Sequence, residues 1–77
     1  MPKSRTFWLD SVGDISVFHA KQRTNMGMII ESLNFLKREL KKPSISEEVK
    51  ECLTRNIERI TDALDSRDKD HILSKLE

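Results

Sequence analysis

Apolar residues recur every three or four positions between Thr24 and Lys42. This spacing places apolar side chains on one face of an α-helix. Pro43 ends the pattern, because proline lacks a backbone N–H and its ring disfavours helical geometry in the residue before it. The stretch therefore predicts an amphipathic helix over about 24–42, and Thr24 or Asn25 can cap its first turn. Its apolar face consists of Met26, Ile29, Ile30, Leu33, Leu36 and Leu40.

A second, narrower apolar stripe follows. Ser44 and Ser46 can each accept a hydrogen bond from a free backbone N–H of a first helical turn. Glu47 and Glu48 then place negative charge at the positive end of the helix dipole. The pattern predicts a helix over about 46–64, joined to the first in an antiparallel hairpin. Its apolar stripe consists of Val49, Leu53, Ile57, Ile60 and Leu64.

The two flanks of this hairpin give weaker patterns. Residues 1–13 contain the strand-like stretch "RTFWL", and a lone strand has nothing to pair with in so short a chain. We therefore expect an extended or flexible arm over 1–13 and a single helical domain over 14–77. Asp14 can cap a short helix over about 15–22, and "DHILSKLE" predicts a last helix over about 69–76. The expected fold class is all-α.

A hairpin of two such helices is marginal by itself. Burying a Leu or Ile side chain contributes about 1.5–3 kcal/mol, whereas ordering the chain costs about 1–2 kcal/mol per residue. A chain of 77 residues also buries only a modest share of its surface. We therefore predict a homodimer in which two hairpins form a helical bundle. The two stripes would then form the core or the dimer interface.

Three of the four aromatic residues precede the hairpin: Phe7, Trp8 and Phe18. Trp and Phe often anchor protein interfaces. These three side chains are therefore the candidates for binding a partner protein. The alternative is that they cover an end or a side of the dimer itself.

The distribution of charged residues suggests a second hypothesis, which is nucleic-acid binding. Charged residues make up 35% of the chain, yet the net charge is only +1, which argues against a strong nucleic-acid binder. One basic cluster exists, and it would bind phosphates without reading sequence. It lacks interleaved aromatics, so stacking on single-stranded nucleic acid is not expected. The cluster consists of Lys37, Arg38, Lys41 and Lys42.

No pattern of catalytic or metal-binding residues is present in the sequence. Cys52 is the single cysteine, and His19 and His71 are too far from it in sequence for zinc-ligand spacing. Two isolated glycines cannot form a phosphate-binding loop. We expect no enzyme activity, no cofactor and no metal. The sequence also lacks an apolar stretch long enough for a membrane span or a secretory signal, so the expected location is the cytoplasm.

The order of sequence segments along the chain is similar to that in a known protein family. "LDSVGDISVFHAK", a Met/Ile/Leu-rich helix, a polar break and "ISEEVKECLTRNIERI" together resemble the enterobacterial YmgB/AriR and YcgZ group of small regulatory proteins. The resemblance implies a non-enzymatic, all-helical dimer that affects biofilm formation and acid resistance. It also implies a connector to a two-component phosphorelay, and DNA binding has been proposed for one member. The dimer face would map onto Met26, Ile29, Ile30, Leu33, Leu36, Val49, Leu53 and Ile57.

These observations favour a small bacterial regulatory protein that acts by protein–protein binding, with a phosphorelay component as one partner. A nucleic-acid-binding regulator is the alternative. A second alternative is a chaperone or antitoxin that binds its partner through the N-terminal aromatics.

Overall fold

Four helices account for most of the chain. The computed structural model describes residues 4–77, and within that range it contains helices and no strand. Helix α1 spans Ser4–Gln22, α2 spans Met26–Leu40, α3 spans Glu47–Ala63 and α4 spans Ser66–Lys75. The predicted all-α class is confirmed.

The expected arm over 1–13 is wrong for residues 4–13, which form the first half of α1; residues 1–3 lie outside the described range. The strand-like composition of this stretch is overridden by tertiary packing. Leu9 is fully buried, and Ala20 at the other end of the helix is 2% exposed. Packing of one helical face contributes more to helix stability than local propensity does.

Helices α3 and α4 each begin with a side-chain cap. Ser46 precedes α3, and its hydroxyl accepts a hydrogen bond from the Val49 backbone N–H at 3.2 Å. Asp65 precedes α4 and accepts from the Asp68 N–H at 2.9 Å, so α4 begins three residues before the predicted start at 69. Asn25 precedes α2 in a left-handed conformation and makes no side-chain capping bond.

Helix α1 packs against both α2 and α3. Thr6 lies beside Cys52 and Asp14 beside Arg59, so contacts advance in the same direction along α1 and α3. Contacts between α1 and α2 run in opposite directions, from Arg5 beside Glu39 to Ser16 beside Met28. Helix α4 packs on α2. The core comprises Leu9, Ala20, Ile29, Leu33, Leu36, Cys52, Leu53, Ile60, Leu64 and Ile72.

One chain covers this core by itself. Its accessible surface is 5095 Å², close to the roughly 4,850 Å² expected for a folded monomer of this mass. Helix α1, which includes residues 4–13 of the expected arm, covers the α2–α3 hairpin from within the chain. Covering the hairpin therefore does not require a second chain, and the homodimer stays a prediction.

Candidate functional site

The inner face of α1 is built from one large and three small residues. Leu9, Gly13, Ser16 and Ala20 follow at steps of four, three and four, and all are buried. Small residues let two helix backbones approach closely. At Gly13 a Cβ atom would overlap the side-chain amide of Asn56 on α3. Close packing of α1 against α3 therefore depends on glycine at this position.

The opposite face of α1 carries mainly large apolar side chains, and these are exposed. Phe7, Ile15 and Phe18 follow at steps of eight and three, with Ser11 between the first two, and they are 72%, 54% and 59% exposed. Trp8 lies at the edge of this face and is 53% exposed. We call Phe7, Trp8, Ser11, Ile15 and Phe18 the outer face of α1. Among the residues whose burial is described, the one other exposed large hydrophobic is Leu73.

The Ser11 hydroxyl on the outer face already has a hydrogen-bond partner. The Ser11 hydroxyl donates to the Phe7 carbonyl at 3.1 Å, one turn earlier in the same helix. The Trp8 ring packs edge-on against Phe35 of α2, with ring centroids 5.4 Å apart. Phe18 makes a similar contact with the His19 ring. The outer face can therefore lose water without leaving the Ser11 hydroxyl unpaired.

A polar network fixes α1 against α3. The Asn56 side chain is fully buried and donates to the Asp10 carboxylate and the Cys52 carbonyl, both at 2.9 Å. Arg59 donates to the Asn56 amide oxygen at 2.7 Å and also contacts Asp14. Arg55 adds a contact to Asp10 at 3.2 Å. A buried amide with satisfied donors and acceptor favours one register of packing over others.

This network shifts two pKa values in opposite directions. The hydrogen bond from Asn56 holds the pKa of Asp10 below its ordinary value, and Arg55 acts in the same direction. Burial raises the pKa of the Cys52 thiol, and its hydrogen bond to Asp10 raises it further. Cys52 is therefore a buried, protonated thiol at neutral pH, which is the character of a structural cysteine rather than a nucleophile.

The predicted interface residues lie mainly inside the chain. The members that are buried in the core are Ile29, Leu33, Leu36, Leu53, Ile60 and Leu64. The half-buried members at its edge are Met26, Ile30, Leu40, Val49 and Ile57.

The predicted partner-binding residues Phe7, Trp8 and Phe18 lie together on the surface of one helix. Sequence reasoning missed Ile15. Its spacing from Phe18 was visible, but it could not be placed on the same face as Phe7 while residues 1–13 were read as an arm.

The basic cluster is partly neutralised by neighbouring carboxylates. Lys42 lies 2.7 Å from Glu39, and Arg38 lies 3.0 Å from Glu77. Lys37 is half-buried and Lys41 is exposed. This arrangement offers phosphates less free positive charge than the sequence suggests.

A second apolar surface lies between α2, α3 and α4. It is an open groove of about 310 Å³, with charged side chains at Lys37 and Glu58 on its rim. Its apolar lining consists of Leu33, Leu40, Ile57, Leu73 and Leu76.

Residues 4–77 contain no grouping of three or more His, Cys, Asp or Glu side chains placed to hold a metal ion. None of the helices in this range has the length and apolar character to cross a membrane. No family model, curated protein or solved structure matches the chain.

Proposed function

We propose that this chain is a small, non-enzymatic regulatory protein that acts by binding another protein through the outer face of α1. The observation that supports this proposal best is the composition of that helix. Its inner face is packed with one Leu and three small residues, while three aromatics and Ile15 face outward. Large apolar side chains grouped on the exposed face of a helix are typical of a protein–protein interaction site.

The magnitude of the exposed apolar surface fits an interface. Fully burying a large apolar side chain contributes about 1.5–3 kcal/mol, and Phe7, Trp8, Ile15 and Phe18 are each more than half exposed. Covering all four therefore contributes roughly 4–8 kcal/mol. This is a large share of the binding free energy of a micromolar complex, about 8 kcal/mol.

The expected setting comes from the resemblance to the YmgB/AriR and YcgZ group. We propose a cytoplasmic role as a connector or modulator of a bacterial signalling pathway that affects biofilm formation or stress response. A phosphorelay component is then one partner. The fold proposed for this role is an antiparallel α2–α3 hairpin with α1 laid along it, so that the hairpin supports the outer face.

Photo-crosslinking in living cells of the native host tests the proposal. A photoreactive benzoylphenylalanine replaces Phe18, and the matched control replaces exposed Glu51 on α3. We expect discrete protein adducts from position 18 and none of the same masses from position 51. Adduct patterns that are the same at both positions, or no adducts at position 18, would overturn the proposal.

A further inference from the structure

We infer that the outer face of α1 binds the same face of a second copy of this chain, with the two α1 helices antiparallel about a two-fold axis between Ser11 and Ile15. This inference rests on the proposed function, because it names the occupant of the same surface. It also moves the dimer interface away from the α2 and α3 stripes, whose apolar residues are largely buried within one chain.

The order of side chains on the outer face is self-complementary. In a two-fold interface every contact occurs twice: if one residue of the first copy touches a given residue of the second, the same pair also meets with the copies exchanged. When the second α1 runs in the opposite direction, Phe7 of each copy lies against Phe18 of the other, so an aromatic pair forms at each end of the seam. In the middle Ser11, the one small residue, lies against Ile15. The small Ser11 side chain leaves room for Ile15 in the middle, while the aromatic pairs fill the two ends.

Charge permits this association. Positions 7, 11, 15, 18 and 22 hold no charged residue, and the exposed, charged Asp14 lies beside them. The acidic neighbours on α1 are already engaged, since Asp10 contacts Arg55 and Asp14 contacts Arg59. A net charge of +1 gives two copies little mutual repulsion.

The area of the seam sets the expected affinity. An aromatic side chain covers about 150–250 Å² when fully buried. With the exposed fractions of Phe7, Trp8, Ile15 and Phe18, pairing two copies removes roughly 900 Å² of surface from these residues. This area is below the roughly 1,200 Å² at which standard specific interfaces begin, and it is in the range of weak, transient complexes. We therefore expect a concentration-dependent dimer with micromolar affinity.

Sedimentation velocity across the micromolar range tests the inference. The wild type should change from the 9.0 kDa monomer to twice that mass as concentration rises. Ile15→Glu should remain monomeric, because each new carboxylate would be buried against Ser11 of the other copy without a cation beside it. The matched control is Leu73→Glu, which adds the same charge at the exposed hydrophobic outside α1 and should dimerise as the wild type does. Circular dichroism should show equal helicity in all three.

Cysteine crosslinking tests the antiparallel direction. Phe7→Cys and Phe18→Cys are made in a Cys52→Ser background, which keeps a hydrogen-bond donor to Asp10. Mixing the two variants under mild oxidation should give the mixed 7–18 disulfide in excess over the 7–7 and 18–18 species. An excess of the two symmetric species would overturn the inference.

The outcomes separate this inference from the proposed function. A chain that stays monomeric at all concentrations, while position 18 still captures another protein in cells, overturns the second-copy inference alone. Loss of dimer in both Ile15→Glu and Leu73→Glu also overturns it, because the seam would then not be confined to α1. If the chain is monomeric and position 18 captures nothing, both proposals fall.

Discussion

The close approach of Gly13 to Asn56 predicts that even a methyl group added at position 13 destabilises the fold. In an open helix, Gly→Ala stabilises by about 1 kcal/mol. At Gly13 the new methyl group would overlap the Asn56 side chain. That side chain is fully buried and held by hydrogen bonds to Asp10, Cys52 and Arg59. Gly13→Ala should therefore destabilise the fold by forcing α1 and α3 apart.

The magnitude follows from three effects. Overpacking a core contact costs about 1–3 kcal/mol, and each hydrogen bond of Asn56 that is broken costs about 0.5–1.5 kcal/mol. The gain in helix propensity offsets about 1 kcal/mol. We expect a net loss of about 1–4 kcal/mol in the free energy of unfolding. The chain provides a matched control in Gly27, where a Cβ would meet no atom within 4 Å, so Gly27→Ala should stabilise by up to about 1 kcal/mol.

Urea denaturation followed by circular dichroism measures both changes. A second readout is the rate at which Cys52 reacts with a thiol reagent. Its sulfur lies beside the Thr6 carbonyl and the Asp10 carboxylate of α1, so the rate reports on separation of α1 from α3. We expect faster reaction in Gly13→Ala and no increase in Gly27→Ala.

The result that would refute this reasoning is a shift of the urea midpoint in the same direction for both variants. A double-mutant cycle adds a check, because Asn56→Ala removes Oδ1 and Cγ, the two atoms that the new methyl group would overlap, and leaves only Cβ at 3.2 Å. Gly13→Ala should then be much less damaging in the Asn56→Ala background than in the wild type.

Two further predictions concern a helix cap and pH. Ser46→Ala should lower the free energy of unfolding by about 1 kcal/mol, because Ser46 caps the Val49 N–H; Ser44→Ala is the control and should change urea stability little. The pKa of Asp10 is lowered in the fold, chiefly by the hydrogen bond from Asn56, so its ionised form stabilises the protein above its ordinary pKa of 3.8. That contribution is lost as pH falls through the lowered folded value. Wild type and Asp10→Asn should therefore differ in urea midpoint near neutral pH and converge in acid, and a constant difference would contradict the assignment.

Local patterns in the sequence were sufficient to predict α2 and α3. Both have an apolar stripe at helical spacing, and Ser46 marks the start of α3 as it would in any chain context. The predicted start of α4 was three residues late, because it was taken from the apolar pattern of "DHILSKLE" and did not use Asp65 as a cap.

The candidate surface was predicted only in part. Phe7, Trp8 and Phe18 were recognised as unusual, but their shared face, and Ile15 on it, required α1 to be a helix. Helix α1 lacks the periodicity that defines amphipathic helices, since Leu9 points inward while Phe7, Ile15 and Phe18 point outward. Composition by itself could not separate such a helix from an extended arm.

The helical class, the two amphipathic helices and the cap of α3 were predictable from the sequence, because each depends on contacts within a few residues along the chain. The packing of α1 against the core, and with it the choice of its exposed face, was visible only in the folded chain. That choice depends on Gly13 fitting against Asn56, which are 43 residues apart in the chain. No local pattern encodes a contact of this kind.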